Sequence, residues 1–502
     1  MIVGAGISGL ALGAQLGRLG VRYVILEKNE EIGGTWWENR YPGCGVDTPN
    51  HAYSFSFGER FEWTRYFSKR DEIERYLCEM ADSTGVREHT RFCCEVDGAE
   101  WDETTRRWRV RFTDEAGRPA ELDADVLVSA VGVLNMASIP DFAGRDRFEG
   151  LAFHSSRWPD DLDLTDQRVA VVGTGATAMQ LVPTAAQAAS ITVYQRSAQW
   201  ARDIPGYRDE ITDNARWLLA NVPFYADWFR LTMFWRYGDG LLPYLRKDPE
   251  WAFPERSVNR INDRHRQEMA DFIERELDGR PDLLEKCMPT YPPYGKRILL
   301  DNGWFATLRQ PHVELVTDPI EEFTTTGIVV DGVERPADIV VFATGFQTMQ
   351  FAARLDIRGR GGRSLRDEWL PDDASAHLGL TVPGFPNFFC LVGPTTGLGH
   401  GGSLIFVIEC QARYICSALS HLTRTGATAM EVRQEVHDEY RNRADAEHEQ
   451  LIWTHPGMTN WYRNSAGRVV ALMPWRLVDY WNMTHDFDPS EYEVTGAVQP
   501  AT

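Results

Sequence analysis

Two stretches of the chain repeat the same order of apolar and polar positions. Each begins with a short apolar run, residues 1–3 in one case and 169–172 in the other, of the kind that forms a buried strand. A glycine-rich turn follows, and apolar residues then recur at helical spacing over residues 10–19 and 178–189. The pattern predicts two strand–turn–helix units, one at the start of the chain and one about a third of the way along it.

The two turns have the spacing of dinucleotide-binding fingerprints. They contain Gly4, Gly6 and Gly9 in the first unit, and Gly173, Gly175, Ala176 and Thr177 in the second. The first glycine allows a tight turn, and the second lets the backbone approach a pyrophosphate. The third position keeps helix and strand close, so that the helix N-terminus faces the anion. Two such units predict two bound dinucleotides.

The residues that end the following strands distinguish the two sites. The apolar run 21–26 ends in Glu27, whose carboxylate can accept ribose hydroxyls and would repel a 2′-phosphate. The run 191–195 ends in Arg196 and Ser197, and an arginine is a bidentate partner for a phosphate dianion. Alone, Arg196 would be equally consistent with a solvated charge. Beside a glycine turn, it predicts NADP at the second site, whereas the first site is predicted to hold FAD or NAD.

A long loop follows the first unit. Residues 31–49 are rich in glycine, proline and aromatic side chains and show few helix or strand signals. Two tryptophans and a tyrosine make a poor solvated loop, which favours a backbone that wraps a bound flavin. The candidate contacts in this loop are Gly34, Thr35 and Trp36.

The remaining pattern completes a predicted α/β fold. We predict a helix over residues 68–83 with Ser68 as its N-cap, strands at 108–112, 125–130 and 338–342, and a mainly helical, aromatic-rich insertion. The insertion is interpreted as a wall over the active site rather than a membrane-contacting segment, because arginines interrupt it. The fold class is two Rossmann-type dinucleotide-binding domains. Their predicted extents are 1–140 and 345–502 for a first, FAD-binding domain, and 141–344 for an NADP-binding domain with the insertion at about 206–290.

Composition and charge narrow the classes of function. The chain has 502 residues and a formal net charge of −21, which would repel nucleic acids and anionic membranes. No stretch is long and apolar enough to predict a membrane span. The eight cysteines show no C-x-x-C or metal-ligand spacing, which predicts reduced cysteines in a cytoplasmic protein without a metal site.

The segment between the two units has a specific sequence signature. Residues 148–159 read F-x-G-x-x-x-H-x-x-x-W-P. This signature between two dinucleotide fingerprints resembles that of the type I, FAD-containing Baeyer–Villiger monooxygenases. The Arg-Tyr-Pro-Gly loop at 40–43, the segment 47–51 and the Gly-His-Gly-Gly segment at 399–402 look most like the 4-hydroxyacetophenone monooxygenase branch.

The resemblance implies a reaction and two residues that support it. NADPH would reduce FAD, the reduced flavin would add O2, and the peroxyflavin anion would attack a ketone to give an ester or a lactone. Sulfoxidation is a second expected activity. Arg297 resembles the catalytic arginine that stabilises this anion, and Asp47 its carboxylate partner beside the flavin. A fixed cation and exclusion of water are what such an anion requires.

The resemblance also implies roles for four other residues. His154, in the signature, is expected to couple domain movement to catalysis. Lys296 and Arg196 resemble the contacts to the 2′-phosphate of NADP. Trp461 looks like the tryptophan of a mobile loop that closes over the nicotinamide.

Several alternatives stay open at this stage. An N- or S-oxygenating flavin monooxygenase would not require the pair of Arg297 and Asp47, and a disulfide reductase would require a second cysteine near Cys44. A non-catalytic protein that binds FAD and NADP is the third alternative. Only three residues precede Gly4, which is consistent with weak FAD retention or with a missing upstream segment. The ketone, the migrating carbon and the oligomeric state are not defined by the sequence.

Overall fold

Two parallel sheets hold the two glycine turns. The computed structural model describes residues 1–352, 355–399 and 401–496. The first sheet has the strand order Phe388–Cys390, Leu127–Ser129, Ile2–Val3, Ile25–Leu26, Thr90–Arg91. The second has the order Val313–Val316, Ser190–Tyr194, Arg168–Val172, Ile339–Phe342, Leu151–His154. All neighbouring strands in both sheets are parallel, which confirms the predicted α/β class with two Rossmann-type units.

In each sheet the strand before the glycine turn is the central one. Ligands of such sheets bind outside the carboxyl ends of the strands, where the strand order reverses. The turn after Ile2–Val3 leads into helix Ile7–Arg18, and the turn after Arg168–Val172 leads into helix Ala176–Thr184. The second helix begins earlier than the predicted 178–189 and ends at Thr184, one residue after Pro183.

Smaller sheets lie beside the parallel ones. A four-stranded sheet contains Asp356–Arg358, Glu95–Asp102, Arg107–Thr113 and Pro119–Ala124, and a three-stranded sheet contains Glu322–Phe323, Gly327–Val330 and Val333–Pro336. Two-stranded pairs join Ala201–Arg202 to Leu299–Leu300 and Ala429–Val432 to Tyr492–Thr495. The predicted alternation at 108–112 is confirmed, since Trp108, Val110 and Phe112 are buried.

The helix predicted over 68–83 begins later than expected. It spans Arg70–Ser83, and its buried face contains Ile73, Tyr76, Leu77 and Met80, as predicted. The prediction of Ser68 as the N-cap is wrong. The hydroxyl of Ser68 accepts a hydrogen bond from Asn50 Nδ2 at 2.5 Å and donates to Glu72, so this side chain is not available to the first helical N–H groups.

The insertion is helical, as predicted, but only part of it forms a wall. Its helices are Asp213–Asn221, Tyr225–Tyr237, Arg260–Glu276 and Pro281–Cys287. Phe229 and Phe234 point toward the rest of the chain, whereas Trp217, Trp228 and Trp235 are 60%, 66% and 71% exposed. Helical periodicity indicates an apolar face but not the surface that packs against it. The prediction of an aromatic wall over the active site is therefore wrong for the three exposed tryptophans.

The other helices complete the core around both sheets. They span Thr35–Glu38, Trp304–Leu308, Leu365–Trp369, Leu404–Thr425, Gln434–Glu449 and Leu477–Met483. Short 3-10 turns occur at Arg87–His89, Arg145–Arg147, Ser155–Arg157, Asp239–Tyr244, Thr348–Gln350, Arg360–Gly362, Ile452–Thr454 and Pro489–Glu491. Within the described ranges, no helix combines the length and apolar character needed to cross a bilayer.

Candidate functional site

The glycines of the first turn allow the backbone to come close to a bound anion. Gly4 has a φ of +105°, and a Cβ on Gly9 would lie 2.0 Å from the carbonyl oxygen of Gly4. A Cβ on Gly6 would lie 3.6 Å from the Cα of Gly34, which itself has a φ of +56°. Helix Ile7–Arg18 begins here without a side-chain cap. Its first N–H groups are therefore directed at the space between Gly6 and Gly34, where a pyrophosphate is stabilised by the helix N-terminus.

Glu27 is tied to this turn. Its buried carboxylate accepts the N–H of Ala5 at 2.6 Å and the N–H of Asn29 at 2.9 Å. Burial raises the pKa of Glu27, although these hydrogen bonds favour the charged form. A carboxylate has about four acceptor sites, so each oxygen can still accept a hydroxyl. The carboxylate oxygens are thus suited to accept the hydroxyls of the adenosine ribose of a dinucleotide.

In the long loop after the first unit, the backbone rather than the indole of Trp36 lies next to the glycine turn. Helix Thr35–Glu38 starts directly after Gly34, and Thr35 is exposed. The ring of Trp36 is buried, and its Nε1 donates to the hydroxyl of Tyr53 at 3.2 Å. Of the three loop candidates, Gly34 and Thr35 therefore lie at the glycine turn, while the side chain of Trp36 packs into the core.

The second glycine turn is more open than the first. Gly173 has a φ of +115°, and its Cβ would lie 2.5 Å from the carbonyl oxygen of Ala343. At Gly175 a Cβ would meet no atom within 4 Å. Gly175 precedes helix Ala176–Thr184, which has no side-chain cap. The N–H groups of Ala176 and Thr177 thus open onto free space, as an approaching pyrophosphate requires.

We expect Gly175→Ala to separate folding from nucleotide binding. The backbone at Gly175 is extended, with a φ of −77°, so alanine is tolerated and the thermal midpoint should change little. The added methyl occupies the approach to the turn, and the dissociation constant for NADP should rise at least ~10-fold. Calorimetric titration with NADP measures the effect. The matched control is Gly17→Ala in helix Ile7–Arg18, where a Cβ meets only Tyr23 at 3.8 Å, and normal NADP affinity of both variants would contradict the assignment.

Two cations and a hydroxyl converge at the strand that follows the second turn. Lys296 Nζ donates to Ser197 Oγ at 2.8 Å and lies 4.7 Å from the centre of the Tyr291 ring. Arg196 is exposed beside it. Burial, and then the positive charge of Arg196, lower the pKa of Lys296. The repulsion between these two positive charges decreases when an anion binds next to them. A phosphate can accept hydrogen bonds from Arg196, Ser197 and Lys296.

Arg297 points to a different partner from its neighbour Lys296. Its Nε donates to Asp47 Oδ2 at 3.0 Å and its Nη2 to Asp47 Oδ1 at 2.6 Å, a bidentate pair. The negative charge of Asp47 raises the pKa of Arg297, so the guanidinium stays charged. Its side chain is 48% exposed. Burial raises the pKa of the neighbouring Tyr53 and Tyr462 to about 12, so both phenols are neutral donors near this pair.

His154 joins the signature to the second sheet. Its Nδ1 accepts the N–H of Ser156 at 3.2 Å, which leaves the proton on Nε2 to donate to the carbonyl of Gly345 at 2.9 Å. Burial lowers the pKa of His154, so the ring is neutral. The histidine thus connects strand Leu151–His154 to the chain that leaves strand Ile339–Phe342, a connection between structural elements rather than a contact to the pair of Arg297 and Asp47.

Gln180 is a contact between the two units that sequence analysis missed. It lies on helix Ala176–Thr184, its Oε1 accepts from the hydroxyl of Tyr41 at 2.8 Å, and its Nε2 donates to the carbonyl of Gly45 at 2.9 Å. The loop that it holds leads directly to Asp47. A glutamine between Met179 and Leu181 in a buried helical segment is the signal that could have identified it, because a buried amide needs partners.

The loop near residue 460 reaches the same region. Asn460 Nδ2 donates to the carbonyl of Gly295 at 3.1 Å, directly before the two cations. Trp461 is 48% exposed and lies 4.5 Å from the ring of Tyr462, which is buried. Trp461 is therefore at the surface of this loop. His400, part of the Gly-His-Gly-Gly segment, lies outside the described residues.

Two family models match parts of the chain. Residues 2–69 match a model described as an NAD(P)-binding Rossmann-like domain. Residues 50–208 match the model of L-lysine 6-monooxygenase/L-ornithine 5-monooxygenase. Only the first match includes the loop that precedes Asp47, since the second begins at residue 50.

Whole-chain comparisons are more extensive. The chain is 40% identical over 494 residues to an uncharacterized monooxygenase, y4iD, of Sinorhizobium fredii, covering 98% of this chain and 74% of the relative. It is 35% identical over 504 residues to a Baeyer–Villiger monooxygenase of Streptomyces coelicolor, with 98% and 92% covered. It also resembles the crystal structure of OTEMO in complex with FAD and NADP, with a TM-score of 0.84, 27% identity and 98% of each chain covered. The chain therefore belongs to the type I Baeyer–Villiger monooxygenases, a family of FAD- and NADP-dependent enzymes.

Proposed function

We propose that this enzyme converts ketones to esters or lactones with NADPH and O2, and that it also oxidises thioethers. The observation that supports this reaction most directly is the bidentate pair of Arg297 and Asp47, which joins chain segments 250 residues apart. Asp47 follows directly after the loop that Gln180 contacts, and that contact joins the two nucleotide-binding units. A fixed guanidinium at this junction can stabilise negative charge that develops on oxygen.

The two glycine turns suit different dinucleotides. FAD is assigned to the turn of Gly4, Gly6 and Gly9, where Glu27 presents a carboxylate to a ribose. NADPH is assigned to the turn of Gly173 and Gly175, followed by Arg196, Ser197 and Lys296, which together form a phosphate-binding group. The residues 1–140 and 345–502 then belong with FAD, and 141–344 with NADPH. OTEMO, the similar structure, was crystallised with both cofactors.

The roles of the chain's own residues follow from their contacts. The flavin, when bound, accepts hydride from NADPH and activates O2. Arg297 would supply a permanent positive charge to the oxygen-transfer site, and Asp47 orients that charge through two hydrogen bonds. His154 connects the signature to the second sheet, so that the two move together. Trp461 covers the site from the loop in which Asn460 is bonded to Gly295. The neighbouring rings of Tyr53 and Tyr462 favour an apolar or aryl ketone, consistent with the 4-hydroxyacetophenone branch.

N- or S-oxygenation is the alternative with a specific observation behind it. The match of residues 50–208 to the lysine and ornithine monooxygenase model favours oxygen transfer to a heteroatom. Such a reaction does not generate an anionic adduct with a carbonyl, and it should proceed without Arg297. Dependence on this residue therefore separates the two reactions.

Product analysis with labelled dioxygen tests the proposed reaction. The FAD-supplemented enzyme is incubated with NADPH, ¹⁸O2 and a panel of aryl, cyclic and linear ketones together with a thioether. An ester or lactone with one labelled oxygen supports the proposal. A panel that yields only labelled sulfoxide, with every ketone recovered unchanged, would contradict it and favour the heteroatom oxygenase.

The proposed setting is the cytoplasm. All eight cysteines are unpaired, as a reducing compartment maintains them. The net charge of −21 opposes binding to nucleic acids and to anionic membranes. We therefore propose small molecules as the only substrates, without a nucleic-acid or membrane partner.

We expect Lys296→Gln and Arg196→Gln to reduce the preference for NADPH over NADH. Each change removes a cation that contacts the 2′-phosphate, so KM for NADPH should rise about 10-fold for Lys296→Gln, while KM for NADH stays constant. Steady-state oxidation of both coenzymes measures the ratio. Arg145→Gln, an equal charge change near the three-stranded sheet, is the control. An equal rise of KM for NADH would show that the cations do not contact the phosphate.

A further inference from the structure

A helical hairpin, residues 213–237, stands at the surface with an apolar outer face. Its helices, Asp213–Asn221 and Tyr225–Tyr237, contain no buried residue. The outer face consists of Trp217, Phe224, Trp228, Leu231 and Trp235, which are 60%, 72%, 66%, 53% and 71% exposed. Positions 224, 228, 231 and 235 recur at helical spacing, so they form one stripe along the second helix.

The opposite face of the same helix is already covered by this chain. Phe229 packs edge-on against His51 at 4.9 Å, and Phe234 lies 5.6 Å from Phe406. Arg230 Nη1 donates to the carbonyl of Phe55 at 3.3 Å. These contacts fix the hairpin on the loop after Asp47 and on helix Leu404–Thr425. The helix therefore has two apolar faces, of which this chain covers one, and an apolar face of a helix is normally packed against another surface.

The outer face is large enough to matter energetically. Its four aromatic side chains, with ~150–250 Å² each and about two-thirds exposed, present roughly 400–700 Å² of apolar surface. That is comparable with or larger than the largest apolar patch of a typical monomeric protein, about 300–600 Å², and patches of this size are often functional. It also approaches the ~800 Å² that each partner contributes to a stable protein–protein interface, before the polar rim is added.

Composition and charge indicate a protein partner rather than a lipid surface. The hairpin has three tryptophans and three arginines but neither lysine nor glutamate, a composition typical of the centre of a protein interface. Helices that lie in a bilayer surface also have Trp, Phe and Leu on one face, but the charges of their polar face are mainly those of lysine and arginine. Here the rim has mixed charge, because Asp213 accompanies Arg216, and Asp227 pairs with Arg60 at 2.9 Å.

We propose that the outer face of the hairpin is the interface with a second copy of this chain, related by a two-fold axis. A two-fold interface brings the same patch together from both copies, so the aromatic stripes of the two copies meet. Trp228, near the centre of the stripe, packs against the partner's hairpin. The proposal goes beyond the proposed reaction, and neither depends on the other.

Sedimentation equilibrium of the full-length, FAD-loaded enzyme tests the interface. The unmodified chain should be dimeric at micromolar concentration, and Trp228→Glu should weaken association at least ~30-fold, as expected for a central aromatic residue. The matched control is Val333→Glu, which changes a side chain that is 56% exposed in the three-stranded sheet and should remain dimeric. Phe224→Glu, at the tip of the hairpin, is the second variant if Trp228→Glu loses its flavin or its thermal transition.

Three outcomes would overturn the proposal. One is a monomeric wild-type enzyme throughout the micromolar range. Another is a dimer that persists in both hairpin variants, which would place the interface elsewhere. The last is a monomer that floats with phosphatidylcholine vesicles unless Trp228 is replaced, which would assign the face to a bilayer surface.

Discussion

Replacement of Arg297 by alanine should reduce ester formation at least ~100-fold while flavin reduction by NADPH continues. Reduction requires the two nucleotide sites, which the substitution leaves in place, whereas attack on the ketone develops negative charge that loses its fixed cation. Loss of one preorganised charge or donor typically costs ~10²–10³ in rate. NADPH consumption should therefore persist, with oxygen recovered as hydrogen peroxide instead of ester. Stopped-flow absorbance of the flavin and chromatography of the product measure the two steps separately.

Arg297→Lys is the informative companion to this variant. Lysine keeps the charge but cannot form both hydrogen bonds to Asp47 at once, since its ammonium lacks the planar fork of the guanidinium. Ester formation should fall between wild type and Arg297→Ala. Undiminished ester formation by Arg297→Ala would refute the role of the guanidinium, and sulfoxidation that is unaffected by the change would identify the heteroatom reaction as independent of it.

The fold was largely predictable because its main signals are local. A glycine with positive φ, such as Gly4 or Gly173, records a turn that few other residues adopt, and the apolar runs before it mark central strands. The contact of Lys296 with Ser197 was harder, since it joins positions 99 residues apart. The family resemblance implied that Lys296 and Arg196 contact one phosphate, but only the tertiary structure shows the hydrogen bond from Lys296 to Ser197.

Features that depend on long-range packing could not be predicted. Gln180 is a helical residue whose partners lie on a loop 135 residues away, and nothing local indicates that loop. Ser68 precedes a helix and has a capping side chain, yet Asn50 competes for its hydroxyl. Trp228 and Phe229 are adjacent and equally apolar, but only the folded chain shows that one faces solvent and the other faces His51.

Asp47→Asn should lower coupling of NADPH oxidation to ester formation about 10-fold or more. Asparagine can accept only one of the two hydrogen bonds from Arg297 with its oxygen, and it removes the charge that raises the pKa of the guanidinium. The arginine would still be charged but no longer held in one orientation. Coupling is measured as the ratio of ester to NADPH consumed, with peroxide as the complementary product.

A double-mutant cycle shows whether Asp47 acts through Arg297. If it does, the combined Arg297→Ala and Asp47→Asn variant should be no worse than Arg297→Ala alone, because the residue that Asp47 positions is already gone. Asp47→Glu, which retains the charge, should recover part of the coupling. Additive losses in the double variant would instead show that Asp47 contributes independently of Arg297, for example through the flavin site. The proposed role of Asp47 in orienting Arg297 would then be wrong. The affinity for NADP is a second check. It should be unchanged in Arg297→Ala, in Asp47→Asn and in the double variant, since Lys296 contacts Ser197 and not the pair of Arg297 and Asp47.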